Sequence, residues 1–186
     1  MRLNKKGNQH MLTVFKPVAA AILVSTLAAC ASTTVSRPDV PQAVAVPAGH
    51  QPVMTLKGAG MLTYECRPKA GAVGIHEWVF AGPDATLQDA NGQVVGKYYG
   101  GPTWEHNAGS KITGKQLAVS PGPAGAIPLQ LVQTTPATGY GPFSGVTYIQ
   151  RVNTVGGVAP KASCTSANVG TKQTVPYSAD YVFYKQ

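Results

Sequence analysis

From Met54 to the end of the chain, glycine or proline recurs every few residues, leaving no room for four turns of a helix with 3.6-residue periodicity. That feature removes most folds built on helices. The same region is rich in short runs suited to strands. In Met61-Leu62-Thr63-Tyr64-Glu65-Cys66 the alternation places Leu62, Tyr64 and Cys66 on one face. Glu77-Trp78-Val79-Phe80-Ala81 is short and aromatic. Val94-Val95-Gly96-Lys97-Tyr98-Tyr99 follows Asp89-Ala90-Asn91-Gly92, whose Asn-Gly pair supplies the positive φ angles of a tight turn. Residues 129–134, 146–152 and 181–184 complete the stronger strands, and no internal repeat is found. The expectation is an all-β fold over residues 54–186: one antiparallel β-sandwich or barrel-like domain with many Gly/Pro-rich loops. About 130 residues suffice for a single core.

The N-terminus has a different character. Arg2, Lys5, Lys6 and Lys16 form a basic region without an acidic residue, residues 18–27 are apolar, and Leu27-Ala28-Ala29-Cys30 follows at once. The apolar stretch is too short for the roughly 20 helical residues that span a bilayer, so residues 1–29 read as a signal peptide. Leu-Ala-Ala-Cys resembles the lipobox of bacterial lipoproteins. This resemblance implies cleavage before Cys30 and transfer of a diacylglyceryl group to its thiol. An ordinary secretory signal, with Cys30 incidental, is the alternative. Either Met1 or Met11 would serve as the start. Ala31, where an Asp tends to retain lipoproteins in the inner membrane, favours the outer membrane by the same resemblance. Residues 31–52 carry Pro38, Pro41, Pro47 and Pro52 among small and polar residues. With the lipidated Cys30 they read as a tether over residues 30–53, able to hold the domain up to roughly 70 Å from the membrane at about 3.1 Å per residue.

Export changes the charge argument. The whole chain carries 15 Lys and Arg against 7 Asp and Glu, but four of the basic residues precede Cys30, leaving 11 against 7, a net +4. These charges are scattered, with no basic run to track a phosphate backbone, so nucleic acid is not an expected partner. The expected partners are the membrane, through lipid on Cys30, and a protein, glycan or lipid of the envelope. Beyond Cys30, the two cysteines Cys66 and Cys164 allow one pairing in a compartment that permits disulfides. A redox or metal pair is disfavoured by the lack of Cys-x-x-Cys and of a His at ligand spacing.

Several spaced segments together are distinctive. They begin with Tyr64-x-Cys66, Trp78, Pro83-x-Ala85-x-Leu87 and Gly92-x-x-x-Gly96. Gly101-Pro102-Thr103-Trp104, Gly109-Ser110 and Tyr148-Ile149-Gln150-Arg151-Val152-Asn153-Thr154 follow. Gly156-Gly157-x-Ala159-Pro160, Cys164 and Pro176-Tyr177-Ser178-Ala179-Asp180-Tyr181 close the series. In this order they resemble the DUF3455 family, a domain of unknown function in bacterial and fungal secreted proteins. Members often have His where this chain has Tyr98, Asp where it has Ala108 and Trp where it has Leu129. A site built on that His and Asp would be lost here. Some fungal members carry a malate dehydrogenase label. This chain has no Gly-x-Gly-x-x-Gly between a strand and a helix to support hydride transfer, and no cofactor is expected.

The remaining constellations differ in the chemistry they suit. His76-Glu77 lacks the second His of His-Glu-x-x-His, position 80 being Phe80, so no metal site is expected. Tyr98, Tyr99, Trp104, Glu105 and His106 form a possible ligand patch, since aromatics stack on sugar rings and a carboxylate beside an imidazole suits acid–base work. The competing reading has Trp104 plugging a sheet end and the polar pair facing water. A small hydrolase or isomerase using this loop is the alternative to a binding module. Arg151 in a core-like strand and Asp180 before Tyr181-Val182-Phe183-Tyr184 are expected to form a structural ion pair, because an unpaired buried charge costs several kcal/mol. A ligand-binding Arg151 is the sharper alternative. Ser110 and Ser144 match no hydrolase motif.

Overall fold

The computed structural model describes residues 1–3, 7 and 34–186; the signal segment and Cys30 lie outside the described residues. The chain divides into two units, Met1–Ser32 and Thr33–Gln186. The second is an antiparallel β-barrel, so of the two expected all-β architectures the barrel is the one adopted. Its strands are β1 (Gln51–Pro68), β2 (His76–Gln88), β3 (Val94–Tyr99), β4 (Thr103–His106), β5 (Lys111–Ser120), β6 (Leu129–Thr134), β7 (Val146–Gly156) and β8 (Lys172–Lys185). Each pairs with the next, and β8 pairs back on β1 to close the ring. The ring is uneven. The β1–β8 seam runs from Gln51 opposite Lys185 to Glu65 opposite Lys172, whereas β4 and β5 share only Thr103 to Glu105 against Thr113 to Lys111.

Alternation decides which side chains fill the ring. Leu56, Leu62, Tyr64, Leu87, Tyr98, Trp104, Ile112, Val132, Ile149, Tyr177, Tyr181 and Phe183 point inward and form the main core. Their strand neighbours Lys57, Thr86, Lys97, Lys115 and Glu105 lie on the outer side and are exposed or half-buried. Around β1–β5 this apolar-in, polar-out pattern is the reverse of a lipid-facing barrel. Aromatic rings occupy the interior: Tyr98 stacks on Trp104 at 4.8 Å, Tyr181 meets both, and Phe143 stacks on Phe183 at 4.8 Å. Gly58 makes room for this cluster, since a Cβ there would strike the Tyr181 ring.

The Pro-rich segment departs from the free tether expected of residues 30–53. β1 already begins at Gln51, and residues 35–46 lie as a strap on the outer face of β6, β7 and β8. Val44 and Val46 are buried there against Leu131, Val152, Val182 and Tyr184, with Val35 and Val40 packed alongside. The Gln150 amide donates to the Val44 carbonyl at 2.6 Å and accepts from the Tyr184 hydroxyl at 2.9 Å. Arg37 lies over the Tyr184 ring at 5.1 Å and donates to the carbonyls of Val46 and His50. The outward faces of β6–β8 are themselves apolar, and the spaced valines of the strap cover them. Proline content concealed that periodicity.

Candidate functional site

The expected disulfide is present: Cys66 and Cys164 are bonded, with Cα atoms 5.5 Å apart. It ties the long β7–β8 connection to the end of β1. Two further bonds hold the same connection: Trp78 Nε1 donates to the Ala162 carbonyl at 2.7 Å, and the Tyr64 hydroxyl donates to the Gly157 carbonyl at 2.7 Å. This end of the barrel is thereby fixed, and beside it the interior opens.

A cavity of about 210 Å³ lies there, lined among others by Leu62, Tyr64, Ile127, Gln130, Arg151 and Tyr177. It adjoins a second, outer space of about 380 Å³ beside the Ala81-Gly82-Pro83 bulge and the Gly101-Pro102 turn. Phe80, Tyr98, Gln116, Gln130 and Arg151 border both. The opposite end is filled by Phe143, Phe183 and the edge of His106, whose ring meets Phe143 at 5.6 Å.

Arg151 sits at the junction of the two spaces, and its expected partner is elsewhere. In the β7–β8 register Arg151 lies opposite Tyr181 and Val152 opposite Asp180, so Arg151 and Asp180 project from opposite faces of the sheet. The structural ion pair is therefore corrected. Arg151 Nε and Nη2 donate to the Pro128 carbonyl at 3.2 and 2.9 Å. Asp180 accepts from Asn153 Nδ2 at 2.8 Å, where Asn153 takes a φ of 49° in the bulge of β7. Among the described residues the ion pairs are Arg67–Glu65, Lys69–Glu77 and Lys97–Glu105, and none involves Arg151. Residues 1–33 contain no acidic side chain to supply a partner.

The polar groups around Arg151 are neutral and partly unsatisfied. Gln130 Nε2 donates to Gln116 Oε1 at 2.5 Å, while Gln130 Oε1 is buried with no partner. The Tyr177 and Tyr181 hydroxyls meet at 3.3 Å. Burial pushes the hydroxyls of Tyr64, Tyr98, Tyr177 and Tyr181 above the usual tyrosine range, with the Arg151 charge pulling each the other way. All four stay protonated at neutral pH, and the arginine supplies the positive charge of the chamber.

The ligand patch expected at Tyr98, Tyr99, Trp104, Glu105 and His106 divides across the barrel wall. Tyr98 and Trp104 point inward, and Trp104 is fully buried with its Nε1–H unpartnered. Tyr99 and Glu105 project outward, where the Tyr99 hydroxyl donates to Glu105 Oε2 at 2.6 Å and Lys97 lies 3.5 Å from Glu105 Oε1. The Tyr99 bond, with help from Lys97, holds the Glu105 carboxyl below its ordinary range. His106 accepts the Ala108 N–H on Nδ1 at 3.0 Å, and burial lowers its imidazole pKa. Neighbouring positions of one strand face opposite sides, so Glu105 and His106 do not form an acid–base pair. Tyr98 is the one member of the patch that lines the chamber.

The other candidates have structural duties. Ser110 Oγ accepts the Phe143 N–H and Ser144 Oγ accepts the Gly141 N–H. Glu77 lies 3.5 Å from Lys69. Among the described residues no group of three His, Cys, Asp or Glu side chains is placed to hold a metal. Sequence reasoning missed Gln116, Ile127, Gln130 and Tyr177. Ile127 and Tyr177 look like ordinary core residues, and pairing Gln116 with Gln130 requires the β5–β6 register.

Fold and site define a class: a closed, eight-stranded antiparallel barrel with a filled interior at one end and an arginine-bordered chamber at the other. Residues 47–185 match the family model described as "Protein of unknown function (DUF3455)", and the chain belongs to that family. No curated protein and no solved structure matches it.

Proposed function

We propose that this chain is a bacterial envelope lipoprotein, anchored by lipid on Cys30 and favouring the outer membrane, whose barrel is a binding module for a small molecule of the envelope. The anchoring part rests on the basic, apolar and Leu-Ala-Ala-Cys segments in sequence order. The binding part rests on one observation, the chamber at the disulfide-fixed end, where Leu62, Ile127 and tyrosine rings converge on a cation and a carboxamide oxygen without a partner. The separation of Glu105 from His106 removes the geometry on which a hydrolase or isomerase reading depended.

The anchor is tested by metabolic labelling with a palmitate analogue: label is expected on the wild type and absent from Cys30→Ala. Equal labelling would contradict it. The binding module is tested by ligand-observed NMR of the full chain in phosphatidylcholine nanodiscs against small aromatic acids, amides and amines. Binding by at least one compound is expected, with loss in Ile127→Trp, which fills the chamber. No binding by any compound, or binding unchanged by Ile127→Trp, would overturn the reading.

A further inference from the structure

We infer that the chamber selects a small monocarboxylate with a compact apolar or aromatic body, the carboxylate docking on Arg151. The inference rests on the binding reading above and adds the chemical class of the ligand. Size comes first. An apolar cavity of about 150 Å³ takes up benzene, so the inner space of about 210 Å³ accommodates a body of roughly one ring. Leu62, Ile127 and the Tyr64 and Tyr177 rings line that space and suit such a body.

Charge comes second. Arg151 has no carboxylate partner among the described residues, and the first 33 residues offer none. Asp84 is close enough to contribute to the raised pKa of Tyr177, but it does not bond Arg151. A single guanidinium matches one negative charge.

Direction comes third. Nε and one hydrogen of Nη2 are committed to the Pro128 carbonyl, which fixes the guanidinium from one side. The Nη1 and Nη2 hydrogens that remain form a planar fork suited to the two oxygens of a carboxylate. Gln130 lies opposite Arg151 across the β6–β7 pair, and its carboxamide has one end bonded to Gln116 and one free. Gln130 is itself only 9% exposed, and its free Oε1 is an acceptor, so it takes a hydroxyl or N–H carried on the ligand's body rather than the carboxylate. Arg151, held in place by the Pro128 carbonyl, thus receives the carboxylate, and the aromatic and aliphatic walls receive the rest.

The test uses the full chain in phosphatidylcholine nanodiscs at pH 7.5, titrated with benzoate, benzamide and benzylammonium. Benzoate is expected to bind roughly tenfold or more tighter than benzamide, because a hydrogen bond to a charged group exceeds a neutral one by about that margin. Benzylammonium is expected to bind more weakly than either. Arg151→Gln is expected to weaken benzoate far more than benzamide, so that the preference for benzoate is lost, and Arg151→Lys to restore part of it. Equal affinity of the wild-type protein for benzoate and benzamide would overturn the inference, and that comparison needs no variant to fold. Arg151→Gln binding benzoate as the wild type does would overturn it as well. In both cases chamber binding survives; the binding reading itself falls if the wild type binds none of the three probes, or if Ile127→Trp binds them as the wild type does.

Discussion

Arg151 and Asp180 show what a residue-level reading reaches. Both are charges in strand contexts that demand partners, and both have polar partners, but not each other. Register decides this: a one-residue offset between facing strands sends a side chain to the other face, and one sequence does not reveal the offset. Gly58 carries a sharper consequence. Its missing Cβ accommodates the Tyr181 ring, so Gly58→Ala is expected to destabilise the barrel by about 1–3 kcal/mol, measured by urea unfolding. A midpoint unchanged from the wild type would show that the ring can shift freely. His106 is a second case. Burial and the Ala108 N–H on Nδ1 both favour the neutral ring in the folded state. The unfolded chain therefore takes up this proton first as pH falls below about 6.5, so stability attributable to His106 is full above that range and declines below it. The ring resonances in NMR are expected to titrate with a midpoint below 6.5. A midpoint at or above 6.5 would contradict the assignment.

At the scale of elements, the strand segments were largely legible because alternation and turn residues act locally. Asn91-Gly92 lies in the connection that precedes β3, and Leu62, Tyr64 and Cys66 do share the inward face. The strap was not legible. Its valines are spaced among prolines, and the surface that receives them exists only after β6, β7 and β8 assemble. Val44→Asp places a charge against Leu131, Val152 and Tyr184, and a loss of several kcal/mol is expected in denaturant unfolding. Wild-type stability in that variant would mean the strap contributes nothing. The β7–β8 connection makes the complementary case. Its disulfide closes a sequence separation of 98 residues, and replacing both cysteines with serine is expected to cost about 4–5 kcal/mol in the chain-entropy model. Because Tyr64, which lines the chamber, is bonded to this connection at the Gly157 carbonyl, benzoate binding by the serine variant is expected to weaken even at temperatures where it remains folded.

At the scale of the whole molecule, the all-β fold was readable from the density of glycine and proline, whereas closure was not. A sandwich and a barrel share the same strand patterns, and they differ in the long-range pairing of β8 with β1. The candidate site was legible only in part. Arg151 and Tyr98 were singled out for chemistry, but the chamber gathers side chains from β1, β2, β3, β5, β6, β7 and β8. Such a convergence has no sequence spacing. The strap also revises the reach of the proposed anchor. Residues 31–34 alone separate Cys30 from Val35, so the spacer covers under about 20 Å rather than the roughly 70 Å of a free tether. Neutron reflectometry of the lipidated protein on a supported bilayer is expected to find no water gap much wider than that, and a gap near 70 Å would mean the strap is undocked.

Ligand binding in the chamber is tested most directly by an NMR chemical-shift map of the full chain in nanodiscs titrated with benzoate. Saturable shifts are expected at Leu62, Tyr64, Ile127, Gln130, Tyr177 and the Arg151 side chain, with the Phe143–Phe183 end and the outer Tyr99–Glu105 pair unmoved. Saturable shifts centred on Tyr99, Glu105 or the strap, with the chamber residues unchanged, would contradict chamber binding.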